Sequence, residues 1–454
     1  MTTFFCNGEA ALYKIVLLFF CLVPAFIMNA QGLHDQPSGL YGETNIEPTQ
    51  YDRCEDTDQY WQFGSKTVYN LENTFPQLPS ACNPIQIFMA VRHGTRDSSS
   101  NYIKKMSKLT DLISKMDKPK MNEKDVEDLK NWQINDDGTT DRNLTIQGIR
   151  DMIGLGERVR ATFKPLFDEP YDPEMYKVMS APKSRCITSA QAFMQAVLGV
   201  EHIEDLSKNV DNHVLPNLYN LKAQLGGIVD ESQINDFKKS DTMANVLSRV
   251  AEKMGLDKDV ITLEQLETMF ESCRHGRATD PKSNPVWCRV FSKEDRKVLE
   301  YLDDLGWYYS FGYGCRLHEY FACPLLKQLN DSFKEKADGK GPKGVFQFAH
   351  RSNMIAAAVM LGVAKDEQRL TYDNMEEMED RKWKTSKLNP FGANTAAVLY
   401  DCGNDELMVS FYINEVLTPF ELDNGDKCEL CPWKLVEQTF DEKIRILNCD
   451  CNSN

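Results

Sequence analysis

The five residues Arg92-His93-Gly94-Thr95-Arg96 hold the densest concentration of chemistry in the chain. Arginine's planar fork of donors matches two oxygens of a phosphate at once. A histidine held neutral can attack phosphorus. The flanking guanidinium groups lower the proton affinity of His93, so it is expected to remain a free base in acidic solution. Gly94 lets backbone approach a ligand. Arg-His-Gly triplets arise often by chance, so position decides whether this one matters.

The elements around it give that position. Asn83-Pro84 punctuates the chain, and residues 85–91 read as a short buried strand ending at Arg92. A second strand, 345–349, ends at His350 and runs into an apolar helical block, 354–361, stopped by Gly362. A third tip, Val178-Met179-Ser180, leads through Pro182 to Arg185. In open α/β sheets, ligands collect at the carboxyl ends of strands. Residues 396–400 and 407–413 flank a polar loop in the pattern of a β-hairpin.

Between about 200 and 340 the texture becomes helical. Met243, Val246, Leu247, Val250 and Met254 share one helix face, and Leu263, Leu266, Met269 and Phe270 suggest another. The fold class expected is α/β, a core domain interrupted by a mainly α-helical insertion. The corresponding division is a signal peptide at 1–30, core at 31–200, insertion at 201–340, and the rest of the core with a cysteine-rich tail at 341–454. A second Arg-His-Gly, Arg274-His275-Gly276, follows Glu271-Ser272-Cys273 rather than a strand, and is read as an exposed loop near a disulfide. Lys104 and Lys105 either extend toward a polyphosphorylated ligand or are simply solvated.

The segment Val91-Arg92-His93-Gly94-Thr95-Arg96 resembles the signature of the histidine acid phosphatases, the branch of the histidine phosphatase superfamily that includes phytases. Further matches follow in order: Leu144-Thr145-x-x-Gly148, Ser184-Arg185-x-x-x-Ser189-Ala190, and Phe348-Ala349-His350. Residues 92–105, 273–314 and 414–420 are similar to the multiple inositol polyphosphate phosphatases in particular. This resemblance implies a histidine-phosphatase-like core, with His93 as a nucleophile that forms a phosphohistidine. It also implies that Arg92, Arg96, Arg185 and His350 surround the phosphate oxygens, with no metal and no cofactor. Its substrates would be small phosphorylated anions, inositol polyphosphates first, with 2,3-bisphosphoglycerate as a further candidate.

Two departures qualify that reading. The family places a proline two residues after the second arginine, whereas Arg96 is followed by Asp97-Ser98. The family also follows its second histidine with an acid, either directly or two residues on, whereas this chain reads His350-Arg351-Ser352. A positioned general acid is worth roughly 10²–10⁴ in rate. Asp97 is the nearest candidate substitute. Proton donation by water, a broad acid phosphatase, and a phosphate-binding relative without turnover are the alternatives.

Composition bounds the rest. Among 454 residues, 52 Lys and Arg stand against 68 Asp and Glu, a net charge of −16, so a nucleic-acid-coating surface is not expected. A local cluster of arginines can still focus a positive field inside a negative envelope. Lys14, the uncharged stretch 15–28 and the small or polar residues after it form the pattern of a secretory signal cleaved near Ala30. Fourteen residues reach about 21 Å as a helix, short of the roughly 30 Å of a bilayer core. Beyond that signal, twelve of the 14 cysteines remain, and an even dozen on the secretory route reads as disulfides rather than zinc ligands. Sequons at Asn143 and Asn330 are candidate glycosylation sites. The expected destination is the secretory pathway: secreted, lumenal or at the cell surface. Peripheral membrane association is compatible with this, and oligomeric state is not readable.

Overall fold

Strand β1 (Asn83–Arg92) is apolar on both faces, which suits a strand covered on both sides. In the computed structural model of the chain it lies at the centre of a seven-stranded mixed sheet. The structure describes residues 62–69, 73–76, 81–134, 141–169, 172–199, 218, 222, 230–403 and 406–449. The proposed signal, Cys54 and Cys451 lie outside them, as do His202 and His213. All described residues fall in one unit, Asp58–Asn454.

The other strands are β2 (Tyr176–Ser180), β3 (Gly344–Ala349), β4 (Asn394–Asp401), β5 (Leu407–Ile413) and β6 (Val416–Thr418), in the spatial order β2-β3-β1-β4-β5-β6. The two-residue strand Cys431–Pro432 also pairs with β5. Strands β2, β3 and β1 run parallel, with Arg92 beside Ala349 and Ser180 beside Phe348. The three polar tips expected from the sequence therefore emerge at one edge. Pairing of β4 and β5 is antiparallel, as the hairpin pattern predicts, so the sheet is mixed rather than parallel throughout.

Helices cover the sheet. The main ones are α1 (Ser100–Met106), α2 (Ile146–Thr162), α3 (Ser184–Leu198), α4 (Asp241–Met254), α5 (Leu263–Thr279), α6 (Lys293–Ser310), α7 (Cys323–Ala337), α8 (Arg351–Met360) and α9 (Trp433–Leu447). Period-2 alternation sends Ile87, Met89 and Val91 into a core with Met152, Leu155 and Phe193 from α2 and α3. Phe88 and Ala90 face the opposite core, shared with Leu325, Leu329 and Met354. No described helix is long and apolar enough to cross a membrane.

Among the described residues there are four disulfides: Cys82–Cys402, Cys273–Cys288, Cys323–Cys449 and Cys428–Cys431. They suit an oxidising compartment. Complete pairing of the cysteines does not hold, because Cys186 and Cys315 are free buried thiols. Nor is residues 274–277 an exposed loop. They belong to α5, with His275 only 6% exposed, although the neighbouring disulfide, Cys273–Cys288, is there as expected. The apolar side of α5 packs inward and carries His275 with it.

Candidate active site

The loop that leaves β1 is fixed by α2 and α3. The amide of Gly94 donates to Ser189 Oγ (3.1 Å), and Ser189 Oγ donates to the Arg185 carbonyl (2.6 Å). The amide and hydroxyl of Thr95 both donate to Asp151 Oδ2, at 3.1 and 2.7 Å. Thr145 caps α2 by accepting from the Gly148 amide (3.0 Å), while its own amide and hydroxyl donate to the Thr95 carbonyl, each at 3.0 Å. Two glycines make this junction possible. A Cβ on Gly94 would lie 2.3 Å from the Gly148 carbonyl oxygen, and one on Gly148 would lie 2.0 Å from that of Thr95. The spaced motifs of the sequence are thus parts of one clamp on the loop.

That clamp holds His93 against the sheet edge, where its amide donates to the Ala349 carbonyl (3.1 Å). His93 Nδ1 lies 2.9 Å from the Gly94 carbonyl. A carbonyl only accepts, so Nδ1 carries the hydrogen and the lone pair resides on Nε2. Burial, then the charges of Arg92, Arg185 and Arg96, hold the His93 pKa well below its ordinary value. The ring is a neutral base with one unprotonated nitrogen. The His350 ring sits 5.8 Å away, edge-on, and burial followed by Arg185 and Arg92 lowers its pKa to about 3.

Arg92, His93, Arg96, Arg185 and His350 all line one cleft of about 710 Å³. Arg92 is 1% exposed and oriented by two bonds from Nη1, to the Ser65 and Asn389 carbonyls (2.7 Å each), with its guanidinium 4.4 Å over Phe391. Arg92 Nε and Arg185 Nε are buried without a partner. Each such donor costs about 1–3 kcal/mol, a cost that oxygens of a bound anion would offset. Among the described residues, nine lysine and arginine side chains line the cleft against two carboxylates, Glu267 and Asp303. A chain of net charge −16 has therefore concentrated positive charge in one concavity.

Asp97 is not among the residues lining the cleft. Its amide donates to the Asn143 carbonyl (2.8 Å), and its own carbonyl accepts from Arg96 Nη1 (2.5 Å). Ser352 and Arg351 do line it, with the Arg351 guanidinium 4.5 Å over Trp307. Lys104 and Lys105 do not, and Lys105 pairs with Glu264 (2.9 Å) instead. Asn143 is exposed. Asn330 is 1% exposed and its Nδ2 donates to Asp441 Oδ1 (2.7 Å), so this packing leaves no room for a glycan there.

Sequence reasoning missed one wall of the site, the turn Gly64-Ser65-Lys66. Gly64 has φ +56, and a Cβ there would lie 2.2 Å from Asp303 Oδ2. The Ser65 amide donates to Asp303 Oδ2 (2.8 Å), and the Ser65 carbonyl anchors Arg92. Lys66 reaches α5, where Glu271 is shared among Lys66, Arg274 and His275. Arg274 also pairs with Asp303 (3.2 Å) and lines the cleft. No local period marks this turn, because its partners on α5 and α6 lie more than 200 residues away in the chain.

A family model for the histidine phosphatase superfamily (branch 2) matches residues 85–416. The chain belongs to that branch. It is 28% identical over 416 residues to multiple inositol polyphosphate phosphatase 1 of Drosophila melanogaster, covering 86% of each chain. To the Homo sapiens protein of the same name it is 24% identical, covering 79% of this chain and 82% of the other. The fold matches that of a D. castellii phytase at a TM-score of 0.67, with 19% identity and 85% of each chain covered. It also matches the multiple inositol polyphosphate phosphatase of Bifidobacterium longum in complex with inositol hexasulfate, at a TM-score of 0.59 with 15% identity, covering 84% of this chain and 97% of the other.

Proposed function

We propose that this branch 2 histidine phosphatase hydrolyses inositol polyphosphates through a phosphohistidine formed on His93. The observation that carries the reading is a neutral His93, with its lone pair on Nε2, in a cleft of nine cationic and two anionic side chains. In the first half of the reaction, Nε2 bonds to phosphorus while the bond to the alcohol oxygen breaks. Arg92, Arg96, Arg185 and His350 stabilise the charge on the oxygens of the phosphoryl group in transit. Water then attacks phosphorus, the P–N bond breaks, and phosphate leaves.

One phosphate does not account for so much positive charge. The ion-paired Lys66, Lys238 and Arg274 aside, Arg142, Lys183 and Arg351 remain beyond the clamp, which favours a ligand with several phosphates. The relatives named for inositol polyphosphates support the same choice. 2,3-Bisphosphoglycerate, with fewer charges, is the second candidate. The leader and the disulfides support a secretory destination.

Ser352, lining the cleft where the family carries an acid, favours one rival: a relative that binds phosphorylated ligands without turning them over. Phosphate release by the purified chain from inositol hexakisphosphate, 2,3-bisphosphoglycerate and 4-nitrophenyl phosphate separates the readings. Turnover favouring the inositol ester, with kcat/KM that falls as salt rises, is expected. Equal kcat/KM on all three would indicate a broad acid phosphatase. No release from any, with retained binding of vanadate, would establish the binding protein.

A further inference from the structure

Expulsion of an inositol oxygen needs a proton, so the donors that line the cleft decide how this chain proceeds. Asp303 is unsuited: Arg274 and the Ser65 amide keep its carboxyl ionised, below the usual range, despite burial. Glu267 is partly exposed and paired with Lys238 (2.6 Å). Burial raises the Tyr102 phenol further from the working range. The arginines hold their protons too tightly to donate. Ser352 offers only an alcohol.

Lys66 differs from all of these. It lines the cleft and is 3% exposed. Its ammonium reaches Glu271 Oε1 and lies 3.1 Å from His275 Nε2. An ammonium has three N–H groups, so at least one is not used by Glu271 and His275. The neighbouring Ser65 is bound to two arginines of the cleft, through its carbonyl to Arg92 (2.7 Å) and its hydroxyl to Arg351 (3.5 Å). Lys66 is thus the next residue after one that orients a phosphate-site arginine.

We infer that Lys66 is the proton donor to the departing alcohol oxygen, in place of the acid that the family carries after its second histidine. The inference rests on the phosphohistidine reading above. As Nε2 of His93 bonds to phosphorus and the P–O bond breaks, an Nζ–H proton passes to the leaving oxygen and Lys66 becomes a neutral amine. In the second half, water attacks phosphorus, its proton passes to Nζ, and the ammonium is restored. Protons and charge balance over the cycle.

The surroundings permit this change of charge. Glu271 is also bound by Arg274 Nε at 2.5 Å, so it keeps a counter-ion when Lys66 is neutral. The charged groups around Lys66 are Glu271 and Arg274 on α5, Asp303 on α6, Arg96 on the loop after β1 and Arg351 on α8, with His275 and Tyr102 as its titratable neighbours. Burial, and then the three arginines, hold the Lys66 pKa well below its ordinary value in spite of Glu271. A lysine so placed releases its proton near neutral pH more readily than one in water.

The test compares Lys66→Met and Lys66→Arg with the unaltered chain on inositol hexakisphosphate and 4-nitrophenyl phosphate, whose leaving group needs no proton. Both variants are expected to lose about 10²–10⁴ in kcat/KM, which reports the half-reaction up to leaving-group departure, on the inositol ester and less than about tenfold on the aryl ester. Lys66→Arg keeps the charge facing Glu271 but does not release a proton, so it decides the matter if Lys66→Met does not fold. Equal losses on both esters, or full inositol turnover by Lys66→Arg, would overturn the proposal. If the unaltered chain hydrolyses neither ester, the phosphatase reading itself fails, an outcome visible before any variant is made.

Discussion

Substitution of Gly148 by alanine tests whether the packing of α2 against the loop after β1 sets the position of the nucleophile. The added methyl would lie 2.0 Å from the Thr95 carbonyl oxygen, whereas carbon and oxygen normally approach to about 3.3 Å. One side must therefore move by about 1.3 Å. Thr95 is held to Asp151 and Thr145, both at the same end of α2, so loop and helix cannot part without breaking those bonds. Overpacking of this kind costs about 1–3 kcal/mol. A shift of about 1 Å at the reacting atom costs about 10²-fold in rate. Gly148→Ala is thus expected to lower kcat on 4-nitrophenyl phosphate about 100-fold and to lower the melting temperature. Gly154→Ala, on the same helix, is the control: its methyl meets only the tip of Arg158 at 3.2 Å. It should be neutral, or stabilising by about 0.5–1 kcal/mol. Wild-type kcat in Gly148→Ala would refute the reasoning.

Arg185→Ala removes one arm of the clamp, and a loss of about 10²–10³ in kcat is expected in steady-state assays, as for other donors aimed at developing charge. A change confined to KM would show that Arg185 only attracts substrate. The pKa of His350 and of His275 is about 3 in the folded chain, and that of His93 is also depressed, against about 6.5 unfolded. The unfolded chain then binds protons that the folded chain does not, so stability is complete above about pH 6.5 and falls as pH drops toward 3. Urea midpoints at pH 7 and pH 4 measure this, and equal midpoints would contradict it. Glycopeptide mapping should find sugar at Asn143 and none at Asn330. Asn330→Gln should leave the glycan mass unchanged while weakening the fold, through loss of the bond to Asp441.

Where the sequence spoke clearly, short-range pattern carried the signal. The apolar runs before Arg92 and His350 are strands because both their faces are buried, and the spaced Thr145, Gly148 and Ser189 hold one loop through bonds whose partners are also motif residues. The Arg274-His275-Gly276 segment misled because the lack of a preceding strand says nothing about burial on a helix. Its side chains face Lys66, a partner about 210 residues earlier in the chain. The Gly64-Ser65-Lys66 turn was illegible for the same reason: three residues with no period, whose role exists only once β1, α5 and α6 meet. Counting cysteines by parity also failed locally, since Cys186 sits beside His350, where its thiol lies 3.6 Å from Nδ1 and burial raises its pKa to about 12.

The most direct measurement is chemical. The chain is mixed with 4-nitrophenyl phosphate, quenched in base within a turnover, digested, and its peptides are mapped for an acid-labile phosphoryl group. That group is expected on His93, attached through Nε2, and should be lost in His93→Ala together with turnover. A phosphoryl group on another residue, or continued hydrolysis by His93→Ala, would contradict the account.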